Sequence, residues 1–484
     1  MIKNFKTFLA LTCLFSSISC VNPENKKNTD EAKQKIDNYL SKTIKLHNIP
    51  GLALAVVEGD NIVYENYFGK ASLEDDIPVD KNTLFRIFSA TKLITSTAVF
   101  QLIQDKKLDL KDPISKYLEN LPPQWQRVKI ENLLSHSSGI PDLIRYESNL
   151  SDKELMEKLA KDNMEFITGN QFKYNQTNYW LLAQIIEKIT QKPFDEYVLK
   201  KQFDGKTKGV LFSSNSLELI PNRAIRYFYN NKTKTFEKDK NNSGKRGFSG
   251  NGLNITLDEF IKWNKLLDDN KLLKEQAKSK MWFPFHFTNK KDRFLHGWNS
   301  YYVNGVSSYG FSGGNLAAFR KFTDSNTTII LLSNGYEIPA YDIIVNDIAR
   351  IVIPNLSNKK LTFEEDIMRS ILNKEYLKAT TAFKKLNAEN QKTDFENLKW
   401  NINTIGNSLT YSNNLHQAQQ VFKINAEANP NWWVSLASLA ESYEMQNDTL
   451  KAIDNYKKSI ALNENNEWNY NEEMTKKIVQ LSHK

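Results

Sequence analysis

Ser89-Ala90-Thr91-Lys92 sets a hydroxyl and an amine at positions i and i+3, a spacing that shares one helix face. A serine hydroxyl is a poor nucleophile at neutral pH and needs an adjacent base. A lysine amine becomes that base where burial or neighbouring charge lowers its pKa. The apolar run Leu93 to Ile103 follows, with Val99, Phe100 and Leu102. It reads as a helix able to bury the amine, which places Lys92 against the Ser89 hydroxyl. The chemistry such a pair suits is nucleophilic attack on a carbonyl. An isolated S-x-x-K is common in a chain this rich in lysine and serine, so the surrounding residues decide its weight.

Phe85-Arg86-Ile87-Phe88 precedes the serine. Lys107-Leu108-Asp109-Leu110-Lys111-Asp112-Pro113-Ile114 and Leu133-Leu134-Ser135-His136-Ser137-Ser138-Gly139-Ile140 follow it. Together these segments resemble the β-lactamase-related serine hydrolases, the family of class C β-lactamases, DD-peptidases and several esterases. The resemblance runs from about Ile49 to Ile353. It implies an α/β (α+β) β-lactamase/transpeptidase-like domain, an antiparallel sheet covered by helices, and a structural role for His136.

Two further boxes extend it. Phe172-Lys173-Tyr174-Asn175-Gln176-Thr177-Asn178-Tyr179 precedes an apolar helix, Leu181 to Ile189. It resembles the family's Y-x-N box, which implies Tyr174 as the proton shuttle to the leaving group. A phenol does this best if its pKa falls from about 10, and Lys92 is the charge expected to lower it. Gln176 stands where the family has Asn and offers the same amide one methylene further out. Ser308-Tyr309-Gly310-Phe311-Ser312-Gly313-Gly314-Asn315 resembles the strand that normally carries Lys-Thr-Gly or His-x-Gly. Phe311 takes the first position, where a cation holds a substrate carboxylate in many relatives. Losing such a partner is expensive, so a neutral acyl substrate fits better than a penicillin or a D-Ala-D-Ala peptide. Ser312 completes the strand's substrate side. Gly313 and Gly314 permit close backbone approach, and the Gly314 amide is expected to form an oxyanion hole with that of Ser89.

The rest of the chain sets the frame. At 484 residues more than one domain is expected. Apolar content of 40% and a formal charge of +9 suit packed cores rather than disorder. Basic residues are interspersed with acids, and the densest run, Lys232 to Arg246, reads as a solvated loop rather than a nucleic-acid surface. Six histidines are scattered without ligand spacing, so neither metal nor cofactor is expected.

Residues 1–19 have the layout of a signal peptide, with Lys3 and Lys6 before an apolar core. Ser17-Ile18-Ser19-Cys20 resembles a lipoprotein cleavage box with Ser17 in place of the usual Leu. Cys20 would then be lipidated, residues 20–31 would form a tether, and the hydrolase would occupy 32–353. The expected location is the cell envelope, with membrane contact through the lipid anchor alone.

Within residues 32–353, Gly51 to Glu58 and Asn61 to Phe68 read as strands joined at Gly59-Asp60. Thr327 to Ser333 reads as a buried strand and Ala340 to Ile353 as a helix. After a linker at 354–362, residues 363–484 read as an all-α helical-repeat unit. A shift of 34 residues, the tetratricopeptide period, aligns Gly406 with Ala440, Asn413 with Asn447, Ala418 with Ala452 and Phe422 with Tyr456. Ala379 and Phe383 repeat that last mutual spacing. Such an array offers a protein-docking surface. The sequence therefore reads as a serine hydrolase acting on a small ester, amide or peptide. The alternatives are a retired, partner-binding relative or a D-amino-acid peptidase.

Overall fold

The computed structural model describes residues 23–483, apart from 206, 231–232, 291–292, 358, 389–394 and 412. The leader and Cys20 lie outside the described residues. Most of the stretch read as a tether is helical, since helix α1 spans Pro23–Leu46.

Strands β1 (Gly51–Glu58) and β2 (Asn61–Ser72) form the expected hairpin, with Gly59 in the left-handed conformation at φ 57°. With β3 (Ile77–Pro78), β4 (Asn299–Val303), β5 (Val306–Gly313), β6 (Ala317–Phe322) and β7 (Thr327–Ser333) they build one antiparallel sheet. Its order is β3-β2-β1-β7-β6-β5-β4. The unbroken apolar sequence of β1 has a simple cause: the sheet is covered on both faces. Leu52, Leu54 and Val56 join a core with Ile36 and Leu40 of α1, while Ala53, Ala55 and Val57 join the opposite core.

Helix α2 (Thr91–Gln104) runs through that second core, buried on every side from Thr91 to Leu102. Helix α3 (Gln176–Thr190) begins where the Asn175 side chain accepts from the Asn178 N–H, an N-cap that ends the preceding loop just after Tyr174. Helix α4 (Leu257–Asp268) packs on β1 and β7, and α5 (Tyr341–Val352) covers the other face beside α1. The basic run after residue 232 contains a strand, Thr235–Lys238, rather than only a loop, and its Arg246 pairs with Asp152.

Seven α-helices follow among the described residues: α6 (Phe363–Leu372), α7 (Tyr376–Ala388), α8 (Phe395–Tyr411), α9 (Leu415–Ala428), α10 (Trp433–Met445), α11 (Thr449–Leu462) and α12 (Tyr470–Ser482). Helices α9 and α11 have equal length and start 34 residues apart, each behind a left-handed asparagine, Asn413 (φ 54°) or Asn447 (φ 62°). Ala418, Phe422, Ala452 and Tyr456 are buried, so the matched positions are packing positions. Gly406 permits the close approach of α8 and α9, because a Cβ there would stand 2.3 Å from the Phe422 ring. The helical unit rests on the hydrolase unit: Ile338 and Ile343 share a core with Ile367, Ile371 and Leu409, and Lys374 pairs with Glu337 at 2.8 Å.

Candidate active site

Ser89 sits in a single 3-10 turn, Phe88–Ala90, immediately before α2 rather than within it. Phe88 adopts φ 46°, a strained conformation for an aromatic residue. Its ring lies between two guanidinium groups, with Arg86 at 4.6 Å and Arg226 at 4.4 Å. Arg86 in turn donates to the Asn251 carbonyl at 2.9 Å and to the Asn251 side chain at 2.7 Å. These contacts hold the turn that presents the serine.

The Tyr174 hydroxyl donates to Ser89 Oγ at 2.8 Å. Lys92 projects from the first turn of α2 and is fully buried. Its amine donates to the Gly250 carbonyl at 2.9 Å and to Gln176 Oε1 at 3.2 Å, rather than taking up the expected place on the Ser89 hydroxyl. It also lies over the rings of Tyr174 and Tyr179, at 4.7 and 4.8 Å. Gln176 thus keeps the amide contact despite its extra methylene.

Burial pushes the Lys92 pKa down to about 7, and the Asp142 carboxylate only partly opposes it. Near neutrality much of this lysine is the free amine, the form a base requires. Tyr174 departs from the expectation. Its pKa is raised by burial, against the smaller opposing effects of its hydrogen bonds to Ser89 and Gln176. The reason is that ionising the phenol in these packed surroundings costs more than those two bonds return. Tyr174 is therefore a neutral donor at Ser89, not a tyrosinate.

Phe311 of β5 is buried, with its ring 6.4 Å from Tyr174 and 6.1 Å from Phe294. The wall facing Tyr174 is thus aromatic and uncharged. Side chains alternate along a strand, and the Ser312 hydroxyl is engaged elsewhere, accepting from Arg320 at 2.7 Å and donating to Asp342 at 3.2 Å. Ser312 is not brought to the group around Ser89. Gly313 is: a Cβ there would stand 1.9 Å from the Ile87 carbonyl and 2.9 Å from the Ser89 N. Gly314 has φ 58°, and a Cβ on it would meet the Phe88 ring at 2.5 Å. The two glycines let the end of β5 lie against the nucleophile turn. Among the described residues, neither the Ser89 nor the Gly314 N–H enters a backbone hydrogen bond outside the helices and strands.

The sequence did not point to Asp142 or Gly250. Asp142 is buried, accepts from the Gln176 N–H at 3.1 Å, and has its pKa pushed up to about 6 by burial. The glycines of Phe248-Ser249-Gly250-Asn251-Gly252 were the available signal for a backbone approach to Lys92. His136 has the expected structural role: its Nδ1 accepts from the Asn175 N–H at 3.1 Å, fixing the residue after Tyr174. Burial and the nearby Lys92 hold it well below the usual imidazole range. Among the described residues, no group of three or more His, Cys, Asp or Glu side chains could hold a metal ion, and no helix is long and apolar enough to cross a membrane.

An antiparallel sheet between helical layers, with this serine turn packed against β5, is a β-lactamase-like fold, and the comparisons agree. The family model described as Beta-lactamase matches residues 36–351. The chain belongs to the β-lactamase family, whose members are serine hydrolases. Among curated proteins, "Protein flp" of Staphylococcus aureus (strain MRSA252) is 26% identical over 179 residues, 35% of this chain and 36% of flp. The chain therefore spans about a third of that relative. "Putative penicillin-binding protein PbpX" of Bacillus subtilis (strain 168) is 27% identical over 318 residues, 65% of this chain and 76% of PbpX. The octameric penicillin-binding protein homologue from Pyrococcus abyssi superposes with TM-score 0.58 at 23% identity, covering 70% of this chain and 81% of that one. The D-amino acid amidase from Ochrobactrum anthropi SV3 superposes with TM-score 0.56 at 19% identity, covering 68% of this chain and all (100%) of its own. These likenesses are of fold.

Proposed function

We propose that this chain hydrolyses a neutral ester or amide through an acyl-enzyme on Ser89. The single observation that supports it best is the Tyr174–Ser89 hydrogen bond of 2.8 Å beside a fully buried lysine. Ser89 Oγ attacks the carbonyl carbon while its proton passes to the neutral Lys92 amine, which turns from Gly250 and Gln176 to take it. The oxyanion forms between the Ser89 and Gly314 N–H groups, where each such donor is worth about 10²–10³ in rate. Tyr174 gives its proton to the leaving group and recovers one from Lys92. Water then attacks the acyl carbon by the reverse path and frees Ser89.

Phe311 carries the substrate preference. An aromatic residue in place of a cation gives no partner to a substrate carboxylate, so uncharged acyl groups are favoured over penicillins. The amidase neighbour makes D-amino-acid amides the second class to screen. Residues 363–484 are read as tetratricopeptide-like repeats offering a protein-docking surface, and Cys20 as a lipid anchor at the cell envelope.

The test is labelling with a fluorophosphonate, followed by peptide mass spectrometry. An adduct on Ser89 that disappears in Lys92→Ala is expected. An unlabelled Ser89 in the folded protein would overturn the assignment and leave the partner-binding alternative.

A further inference from the structure

The helical unit reaches the rim of the site at two places. Lys173, next to Tyr174, lies 5.2 Å from the Trp468 ring. On the other side, Asn315 follows Gly314 directly and is left-handed itself, at φ 60°. Its side-chain Nδ2 donates to the Ser408 hydroxyl of α8, and its Oδ1 accepts from the Tyr341 hydroxyl at 3.2 Å. Ser408 is buried and is itself anchored, donating to the Thr404 carbonyl at 2.8 Å. The turn Gly313–Asn315 is therefore pinned between the Phe88 ring, which Gly314 abuts, and a side chain from a different folding unit.

We propose that the helical unit is part of the catalytic device: Ser408 fixes Asn315, and through it the Gly314 N–H that receives the developing oxyanion. This rests on the acyl-enzyme reading above. Preorganised donors act because they need no reorientation during reaction. The turn closes through the Leu316 N–H donating to the Gly313 carbonyl at 2.9 Å, and the Asn315 side chain ties its outer end to Tyr341 and to α8. The Asn315–Ser408 bond is the tie supplied by the helical unit, and it sets the angle at which the turn meets the serine. Ser408 and Asn315 are positioning residues, neither touching the reacting atoms. A consequence is that whatever displaces α8 alters turnover.

The experiment compares inactivation of the full chain by an uncharged fluorophosphonate, resolved into the affinity of the probe and the rate constant of the covalent step. Ser408→Ala and Asn315→Gly are the variants, the latter keeping the left-handed backbone while removing the amide. Lys374→Ala, which breaks a different contact between the units, is the control, and melting curves report folding for all. The covalent step is expected to slow roughly five- to thirtyfold in each positioning variant, less than the 10²–10³ of losing a donor. Probe affinity should hold, and the double variant should be no slower than Asn315→Gly alone. Lys374→Ala should match the wild type. A Ser408→Ala protein that reacts at the wild-type rate overturns the inference, and so does equal slowing by Lys374→Ala. A wild type unlabelled at Ser89 instead brings down the functional reading itself.

Discussion

If Lys92 is the base, the rate of Ser89 modification follows the fraction of its free amine. With a pKa of about 7, that fraction is about 9% at pH 6, about half at pH 7 and about 91% at pH 8. An ordinary lysine near 10.4 would leave well under 1% free at pH 7. Modification by an uncharged fluorophosphonate, followed from pH 5 to 10, should therefore rise about tenfold per pH unit below about 6, about fivefold from about 6 to 7, and level above about 8. Asp142 supplies the cross-check. Its carboxylate favours the ammonium form of Lys92 and is itself ionised only above about 6. Asp142→Asn keeps an oxygen for the Gln176 N–H and removes the charge, so the limb should move to lower pH by a few tenths of a unit. A wild-type limb centred above pH 9, or an alkaline move in Asp142→Asn, would refute the reasoning.

Burying Lys92 lowers its pKa from 10.5 to about 7, on the order of 5 kcal/mol against folding while the amine is charged. The folded state sheds this proton first, so between about 7 and 10.5 the unfolded chain binds more protons and stability rises with pH from this group. Lys92→Met should thus be inactive yet more stable than wild type at pH 6, by up to that amount, with the gap closing towards pH 10. Urea melts at the two pH values check it, and a gap that widens with pH contradicts it. Gly313→Ala forces a Cβ onto the Ile87 carbonyl at 1.9 Å; a loss of about 1–3 kcal/mol and of Ser89 labelling is expected, read by denaturant midpoint and probe. Glu165 is almost fully buried and pairs with Arg145 and, at 2.9 Å, with Lys173. Removing it as Glu165→Ala leaves the largely buried Lys173 without its carboxylate while Arg145 turns to solvent, and should destabilise by about 1–3 kcal/mol; no measurable change would show the pair to be dispensable.

The elements legible in the sequence are those specified by their own residues. The β1–β2 hairpin, β7 and α2 are apolar runs with local turn or helix signals, and they fall where the pattern placed them. The 34-residue match lands on α9 and α11 because small and aromatic residues recur at their packing positions. What was not legible depends on residues distant in sequence. Lys92 spends its hydrogen bonds on Gln176 and Gly250, partners that no local spacing reveals. The direction of the Tyr174 shift turns on the burial of the phenol itself, which distant elements supply. Ser312 reads as a substrate contact by position, yet Arg320 and Asp342 claim it from elements beyond its own strand.

The sheet's central pairing joins β1 to β7, with Leu52 opposite Ser333. Ser89, Tyr174, Gly250 and Gly314 all lie in the chain between those two strands. Closing so long a loop is slow relative to local folding, and the nucleophile turn is backed only once β5 and β6 have added beside β7. A growing chain therefore carries no assembled site until almost all of residues 51–333 have been made. Premature ends anywhere in that span yield an inert product rather than a weakened hydrolase.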